Sequence, residues 1–345
     1  MSWLTEPRWL AALLIPAVLL RCFILAPLAS LRYLGGGLKR FGLDAFRRFY
    51  LDAELVRLHP DLVHFEFGAL AVGRTYLKKL LGVHLSASFR GHDLNFVGLD
   101  MPDYYSEVWR SMDSVHLLGE YLWGQAQKRG CPAGLPHSLI PPAIDPARFT
   151  PRDTVQKLEA GPLRILSVGR LAWSKGYEYS IQAVRLLIDM GIPVEYRIVG
   201  AGDFLEAAAF ASHQLGCEEV VSFLGPLESA GVIGQMDWAD VFLHPAVEEG
   251  FSNAVIEAQA MQLPVVCSDA GGLPENVEDG VTGFVVPRRD PQALAEKLAI
   301  LAADPSLREI MGRAGRQRVE SHFSLPRQIS SFDSFYRAVL KTPPG

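Results

Sequence analysis

The stretch Val241–Glu257, VFLHPAVEEGFSNAVIE, shows the pattern that much of the chain repeats. It opens with an apolar run typical of a buried strand, and a glycine then marks a turn. Ser252 and Asn253 are preferred N-cap residues, so we expect a helix to begin there. The stretch therefore predicts a strand, a loop and a helix, with Glu249 at the mouth of the loop and Glu257 inside the helix.

Similar units surround this stretch from residue 163 onwards. Six apolar runs of strand length alternate with segments of helical periodicity, which predicts a doubly wound parallel α/β sheet with right-handed crossovers. One helical segment repeats Tyr177, Ile181, Val184 and Ile188 on a single face. The predicted strands are Arg164–Val168, Val194–Val199, Val220–Leu224, Val241–His244, Val265–Ser268 and Phe284–Val286.

Polar residues follow these strands, at the edge of the sheet where ligands bind in open α/β folds. The first strand leads into Gly169–Gly176, a glycine-bounded loop that carries Arg170 and Lys175 before a helix. Backbone N–H groups and a helix N-terminus would suit a diphosphate there, and the two cations would neutralise it. Arg and Lys in such a position are also often plain solvated surface residues.

Glycines follow three further strands. Gly200 belongs to a turn that lacks the full dinucleotide fingerprint, which argues against a nicotinamide enzyme. Gly225 closes a loop where a base could pack, and Gly271–Gly272 lets the backbone approach a ligand closely. Taken alone, the two carboxylates of the opening stretch could be a helix-end charge and a solvated side chain. Because the glycine loops lie at the same edge of the sheet, we expect the two carboxylates to hold the two ends of a nucleotide-sugar.

The first half of the chain carries a weaker form of the same alternation. About four parallel strands and one helix are predicted there, at Leu62–Phe65, His84–Phe89, Val115–Leu118 and Ser138–Ile140, with the helix over Leu70–Leu81. Arg90 and His92 follow the second of these strands and are candidates for a ligand cleft. The alternative for His92 is a local role, in which it caps the next helix or pairs with Asp93.

The N-terminal segment is apolar and basic. Residues 9–29 are almost wholly apolar, but Arg21, Pro16 and Pro27 interrupt them, and about 20 clean residues are needed to span a bilayer. Residues 1–58 carry eight Lys/Arg against four Asp/Glu, a local charge of +4 that leaves −9 for the remainder. This region could lie on an anionic membrane surface. The alternative is an ordinary helical subdomain with a solvated basic face.

Composition narrows the function further. The 345 residues suffice for two domains, and 49% apolar with 21% charged residues is typical of a globular protein. A net charge of −5 gives no electrostatic support to nucleic-acid binding. The four cysteines, Cys22, Cys131, Cys217 and Cys267, are far apart and lack metal-ligand spacing. We therefore expect reduced thiols, a cytoplasmic location and no zinc site.

Four motifs, in order, resemble the donor half of the family 4 retaining glycosyltransferases of GT-B fold. They are Gly169-Arg170 with Lys175-Gly176, Glu249-Gly250-Phe251 with Glu257, Gly271–Glu275, and Gly280–Phe284. The first half is more loosely similar to the exopolysaccharide branch of colanic acid type, at Pro60–His64, Phe89–Asp93 and Ile140–Asp145. The resemblance implies two Rossmann-like domains that face a cleft.

The implied domains are a helical segment at 1–58, an acceptor-side domain at 59–155, a donor domain at 156–325 and a C-terminal helix at 326–345 that crosses back to the first domain. The polar stretch Pro151–Gly161 is the predicted boundary. The family usually opens with a strand and a glycine-rich loop, whereas Gly35–Gly37 follows no predicted strand, so we expect the first domain to lack its leading strands. Arg90 stands where the family often has a His, which leaves the role of His92 open.

The resemblance also implies roles for the site residues. Arg170 and Lys175 would bind the diphosphate, Glu249 the donor sugar and Glu257 the ribose hydroxyls. The remaining residues of the motif would lie beside the sugar or the phosphates; they are Gly250, Phe251, Ser252 and Asn253.

The implied activity is that of a retaining hexosyltransferase, which moves a sugar from a UDP-, GDP- or ADP-sugar to a glycan or lipid-linked glycan. No acidic cluster of Asp-x-Asp type is present to hold a divalent ion, so we expect no metal and no cofactor. Positive charge would stabilise the departing diphosphate instead. Two alternatives stay open: a non-catalytic nucleotide-sugar-binding or scaffold subunit, and a nucleotide-sugar epimerase.

Overall fold

A computed structural model describes residues 8–151 and 161–341, with side chains from residue 14 onwards. The chain forms two compact units. The first unit comprises residues 1–116, 126–138 and 334–345, and the second comprises residues 117–125 and 139–333. The predicted boundary at 151–161 lies mostly outside the described residues, and the domain limits drawn from the sequence stay predictions.

Three helices open the chain: α1 (Arg8–Leu25), α2 (Pro27–Phe41) and α3 (Asp44–Leu58). Tyr33 of α2 and Phe49 of α3 are fully buried, with ring centroids 5.3 Å apart. The buried Asp52 carboxylate accepts hydrogen bonds from the hydroxyls of Tyr33 and Tyr76, both over 2.7 Å. Gly35–Gly37 lies inside α2. Across residues 8–151 and 161–341, no helix has both the length and the hydrophobicity to cross a membrane.

The first sheet has four strands in the order β1-β2-β3-β4, and β1 runs parallel to β2. The elements of this region are β1 (Leu62–Phe65), α4 (Gly68–Ala71), β2 (His84–Phe89), α5 (Gly91–Asn95), α6 (Ser106–Ser111), β3 (Ser114–Leu117), α7 (Glu120–Lys128) and β4 (His137–Leu139). The four predicted strands are thereby confirmed to within one residue at each end.

The regular helix predicted over residues 70–81 is wrong. Helix α4 ends at Ala71, and a single π-helical turn covers Lys78–Gly82. Between them Gly73 has a φ of 73°, in the left-handed region where a right-handed helix cannot continue. Most apolar residues of the segment are nonetheless buried, including Leu77 and Leu81, whereas Leu70 is exposed.

The second sheet has six strands in the order β10-β9-β8-β5-β6-β7, and all neighbouring strands are parallel. They are β5 (Leu163–Val168), β6 (Val194–Val199), β7 (Val221–Gly225), β8 (Val241–His244), β9 (Val265–Ser268) and β10 (Gly283–Val286). The six predicted strands are confirmed to within one residue. The strand order reverses between β5 and β8, where doubly wound sheets leave a crevice for ligands beyond the carboxyl ends.

Helices cover both faces of this sheet. Neighbouring residues of β5 enter two different hydrophobic cores, Ile165 on one face and Leu166 on the other. The predicted apolar face of the first α-helix after β5, Tyr177–Asp189, packs in the first core, with Tyr177 and Ile181 fully buried and Ile188 partly buried. The helices that follow β5 along the chain are α8 (Tyr177–Asp189), α9 (Leu205–Gln214), α10 (Ser229–Trp238), α11 (Asn253–Ala260), α12 (Leu273–Asn276), α13 (Pro291–Ala303), α14 (Pro305–His322) and α15 (Leu325–Lys341).

Candidate active site at the strand ends of the second unit

The loop between β5 and α8 depends on a glycine. Gly176 has a φ of 65°, and a Cβ atom there would lie 2.3 Å from the backbone oxygen of Pro245, so a side chain does not fit. A 3-10 turn, Trp173–Lys175, leads into this contact. The close approach brings Lys175 against the loop that follows β8, while Arg170 at the start of the same loop is exposed to solvent.

Lys175 forms a buried ion pair with Glu249. The lysine ammonium contacts Oε2 of the carboxylate, and Nε2 of His244 lies 3.2 Å from the same oxygen. The Gly250 N–H donates to Oε1 over 3.2 Å. Only 18% of the Lys175 side chain, 13% of that of Glu249 and 5% of that of His244 are exposed. The site thus holds a carboxylate that water scarcely reaches.

These contacts keep Glu249 ionised. Burial alone would raise its pKa, but the hydrogen bond from His244 and the charge of Lys175 outweigh burial and lower the pKa to about 2. Burial and the Lys175 charge lower the pKa of His244 in turn, against the opposing influence of Glu249. We therefore assign His244 as a neutral imidazole whose Nε2–H donates to Glu249.

Helix α11 begins at Asn253 with Ser252 as its N-cap, as predicted. The Ser252 hydroxyl accepts from the backbone N–H three residues further on, over 3.4 Å. The Asn276 side chain holds the backbone of Ser252 on both sides, with its oxygen 3.0 Å from the N–H and its nitrogen 3.1 Å from the carbonyl. Phe251 packs edge-on against Phe323, with centroids 5.7 Å apart. The N-terminal end of α11 is therefore fixed directly after Glu249.

Glu257 lies one turn into α11 and is half-buried. Burial raises its pKa, and the charge of Arg148 partly offsets this effect. Among the residues that the structure describes, no group donates a hydrogen bond to this carboxylate. Glu257 can therefore accept hydrogen bonds from the hydroxyls of a ligand.

Two glycines pack the loop after β9 onto the loop after β8. Gly271 has a φ of 57°, and a Cβ atom there would lie 2.0 Å from the backbone oxygen of Glu249. A Cβ atom at Gly272 would lie 2.1 Å from the oxygen of Gly250, and the Gly272 N–H donates to the Glu249 carbonyl over 2.9 Å. Only glycine permits this backbone contact, which brings the predicted Gly271–Gly272 next to Glu249.

A second group of predicted glycines meets at the ends of β5, β6 and β7. The Gly200 N–H donates to the Gly225 carbonyl over 2.9 Å. A Cβ atom at Gly200, where φ is 143°, would lie 1.9 Å from the oxygen of Gly169. The structure therefore brings these three glycines together at one edge of the second sheet.

Arg90 and His92 belong to the first unit, directly after β2. Arg90 pairs with Glu66 over 3.0 Å, and His92 stacks on Phe96 with centroids 6.0 Å apart. The carboxylate of Asp93, rather than His92, caps α5, since it accepts from the Arg90 N–H over 3.0 Å. The role predicted for Arg90 and His92 towards a ligand stays a prediction.

Tyr121, at the start of α7, is a site neighbour that the sequence did not indicate. Its hydroxyl donates to Oε1 of Glu248 over 2.8 Å. Its ring covers Gly271, where a Cβ atom would lie 2.9 Å from the Tyr121 ring carbon Cε1. Glu275 holds this end of α7, because its carboxylate accepts from the N–H groups of Glu120 and Tyr121 over 2.9 and 2.8 Å. The loops after β8 and β9 are thus tied to α7.

His244 was also missed, although a signal existed. It is the last residue of a predicted strand and stands five residues before Glu249, at the edge of the sheet where ligands gather. Tyr121 offered no such signal, because 127 residues separate it from Glu248. Within the described part of the chain, no three His, Cys, Asp or Glu side chains converge in a way that could hold a metal ion.

Comparison with known proteins gives the family. The sequence model of the family named "Glycosyl transferases group 1" matches residues 151–318. The chain is 31% identical over 313 residues to WcaL of Escherichia coli K12, named as a colanic acid biosynthesis glycosyltransferase, and the match covers 85% of this chain and 76% of WcaL. It is 32% identical over 274 residues to the amylovoran biosynthesis glycosyltransferase AmsK of Erwinia amylovora, covering 76% of this chain and 66% of AmsK.

Solved structures give the fold. Anabaena Alr3699/HepE, crystallised with UDP, has a TM-score of 0.74 at 21% identity over 84% of this chain and 82% of its own. Sucrose-phosphate synthase from Thermosynechococcus elongatus has a TM-score of 0.73 at 20% identity over 87% of this chain and 78% of its own. The predicted α/β class and GT-B fold are confirmed. The identity to WcaL over most of both proteins leads one step further: this chain belongs to the group 1 glycosyltransferases.

Proposed function

We propose that the second unit binds a nucleotide-sugar and that the enzyme transfers its sugar, with retention of configuration, to a glycan or lipid-linked glycan. One observation carries this proposal: the buried Lys175–Glu249 pair at the carboxyl ends of β5 and β8, beside the start of α11. Lys175 and the exposed Arg170 supply positive charge for a diphosphate, and Glu249 accepts hydrogen bonds from sugar hydroxyls.

The donor is a UDP-, GDP- or ADP-sugar. Glu257 supports this choice of class, since a half-buried carboxylate one turn into α11 suits the paired hydroxyls of a ribose. Thermal unfolding in the presence of each sugar nucleotide tests the proposal, because a ligand that binds only the folded state raises the melting temperature. We expect one base to stabilise the protein, and the Lys175→Ala variant to lose that stabilisation. If no sugar nucleotide stabilises the wild-type protein, the donor site is misassigned.

Retention follows from attack of the acceptor hydroxyl on the face that the leaving group vacates. The bond from the anomeric carbon to the phosphate breaks, the bond to the acceptor oxygen forms, and the acceptor proton passes to the leaving phosphate oxygen. Arg170 and Lys175 stabilise the charge that develops on that phosphate. The anomeric configuration of the first-formed product, measured by NMR, tests this step, and an inverted product contradicts it.

The same two cations support a reaction that requires no metal ion or other cofactor. Their charges would neutralise the charge on the diphosphate directly. We expect full turnover after dialysis against EDTA and no gain on addition of Mg²⁺ or Mn²⁺. Loss of turnover on chelation with recovery on metal addition would overturn this part of the proposal.

An anionic membrane surface is the proposed partner of α1 and α2. Leu20, Ile24, Leu28 and Leu31 are 63%, 69%, 81% and 59% exposed. Leu20 and Ile24 are four residues apart on α1, and Leu28 and Leu31 are three residues apart on α2, so each pair shares one side of its helix. We call these four exposed side chains the apolar stripe. This apolar stripe belongs to a segment with a net charge of +4. Apolar burial and lipid charge together would hold it on the cytoplasmic face of the membrane.

Flotation with liposomes tests this partner. We expect the protein to bind vesicles of phosphatidylcholine with phosphatidylglycerol and the double variant Ile24→Glu, Leu28→Glu to stay in solution. Phe210→Glu is the matched control, because Phe210 of α9 is 64% exposed outside the stripe. Equal binding by the double variant and the control would remove the membrane from the proposal.

A further inference from the structure

We propose that His244 takes up a proton when the sugar nucleotide binds, and so keeps Glu249 in place while Lys175 turns to the diphosphate. The inference rests on the proposed donor site. It makes His244 a positioning residue, which acts on the substrate through Glu249.

The geometry creates a competition for Lys175. Lys175 and His244 meet the same carboxylate oxygen of Glu249, and the carboxylate is only 13% exposed. A diphosphate that arrives beside Lys175 draws on the same positive charge. Glu249 would then be left as a buried anion with a weakened counter-charge, which is costly. His244 is the other side chain on that oxygen, and protonation lets it supply charge as well as a hydrogen bond.

The charges around His244 favour this response. The charged groups that face it are Glu249 and Lys175, and they cancel each other in the free enzyme. Tyr177 adds no charge near Glu249, because burial raises the pKa of its phenol. With the cluster near neutral and the imidazole 5% exposed, His244 is uncharged before the donor binds. Negative charge from the diphosphate then favours the imidazolium form.

The proton has a definite destination. In the free enzyme Nε2 carries a proton and donates it to Glu249, so the proton taken from solvent binds Nδ1. Binding raises the pKa of His244 above its lowered free-enzyme value. Affinity should therefore fall as the pH rises from the free-enzyme pKa to the bound-state pKa, and should not change through this group outside that window.

Isothermal titration calorimetry with UDP-glucose at pH 7 measures the proton directly, with GDP-mannose as the second probe where UDP-glucose does not bind. The diphosphate of either probe is a diester and stays fully ionised near neutrality. Comparing phosphate with Tris buffer gives the number of protons bound, and we expect an uptake of roughly 0.3 to 0.8 proton per site. No measurable uptake on binding overturns the inference alone. No binding of UDP-glucose, GDP-mannose or ADP-glucose overturns the proposed donor site and this inference with it.

Two further measurements assign the proton to His244. The variant His244→Gln keeps an N–H donor for Glu249, and we expect it to lose the proton uptake and to bind about five-fold more weakly at pH 6.5. His213→Gln is the matched control, because the His213 side chain is 70% exposed and pairs with Glu218 on the surface. It should keep the full uptake. Unchanged uptake in His244→Gln contradicts the assignment.

The wild-type protein provides an independent check where the His244 variant fails to fold. Its dissociation constant for the bound probe, measured between pH 6 and pH 8, should rise about three- to ten-fold with pH. A constant affinity over that range overturns the inference.

Discussion

Each unit contains a largely buried pair of a lysine and a carboxylate, and the side chains of the two pairs are exposed to nearly the same extent. Lys78 and Asp113 of the first unit lie 2.7 Å apart, with 16% and 13% of their side chains exposed. Lys175 and Glu249 of the second unit are 18% and 13% exposed. Burial and charge therefore do not distinguish a structural pair from the pair proposed to bind the donor.

The surroundings of the two pairs do tell them apart. Asp113 precedes β3 and accepts from the Leu85 N–H near the start of β2, over 2.9 Å, while Lys78 also donates to the Ser111 carbonyl over 3.2 Å. This pair closes the amino ends of the strands, and fixed backbone groups share its charges. The Lys175–Glu249 pair stands at the carboxyl ends, where ligands bind in open α/β sheets.

The largest expected effect comes from replacing the lysine of each pair with alanine. Lys175→Ala and Lys78→Ala each leave a buried carboxylate without its cation, so we expect each to lower the free energy of unfolding by about 3 kcal/mol. Turnover should separate them. Lys175→Ala should lower kcat about 100- to 1000-fold, because it removes positive charge from the leaving diphosphate.

Lys78→Ala should keep kcat within about three-fold, measured at a temperature where both variants are folded. Unfolding in urea and initial rates of sugar transfer provide the two readouts. If Lys78→Ala loses as much turnover as Lys175→Ala, the distinction between the two sheet edges is wrong.

Glu257 gives the second largest effect. Glu257→Ala should weaken nucleotide-sugar binding about 10- to 100-fold, since it removes hydrogen bonds from a carboxylate to two ribose hydroxyls. The control is Glu206→Ala, an exposed carboxylate in the first turn of α9. Calorimetry gives both affinities, and an unchanged affinity in Glu257→Ala shows that this carboxylate does not hold the ribose.

The pH dependence of donor binding provides a second test of the role of Glu257. Burial raises the pKa of Glu257 above the ordinary 4.5, so protonation removes its acceptor oxygens at a higher pH than for an exposed Glu. In the acidic range below about pH 6, wild-type affinity should therefore fall as the pH is lowered further towards that raised pKa. Glu257→Gln, which cannot titrate, should lose this dependence.

The sequence predicted the parts of both units that local patterns encode. Apolar runs place all ten strands within one residue, and Ser252 marks the start of α11, because burial and capping depend on neighbouring residues. The prediction of a regular helix over residues 70–81 is wrong, because periodicity alone does not reveal the left-handed backbone of Gly73. The partner of Tyr121 could not be predicted either, because a contact across 127 residues leaves no local pattern.

Substitution of Arg170 has the next largest expected effect, and it distinguishes a role in donor binding from a role in the chemical step. It is exposed, and no described side chain forms an ion pair with it, so a bound diphosphate would be its partner. We expect Arg170→Ala to lower kcat about 30-fold and to change the KM for the donor less than three-fold, because charge on the diphosphate grows as the bond breaks. Arg185→Ala is the control, a surface cation that pairs with Asp189 along α8. A rise in KM with constant kcat would place Arg170 in ground-state binding alone.

The smallest expected effect comes from a comparison of two tyrosine hydroxyls, one in each unit. Tyr121→Phe removes the hydroxyl that donates to Glu248, beside Glu249, and Tyr76→Phe removes the one that donates to the buried Asp52. Burial and the bond to Glu248 raise the pKa of Tyr121 to about 12, so its hydroxyl stays protonated at working pH and remains a donor. Losing one such bond costs about 1 kcal/mol, which corresponds to roughly a five-fold change.

That cost should appear in different measurements for the two tyrosines. Tyr121→Phe should raise the KM for the donor about five-fold with little change in the melting temperature, because the hydroxyl orders a loop that carries the site. Tyr76→Phe should lower the melting temperature and leave the KM for the donor unchanged, because Asp52 joins the N-terminal helices. The reverse assignment would mean that the loop after β8 holds Glu249 without help from α7, and that the contact between Tyr121 and Glu248 supports only the fold.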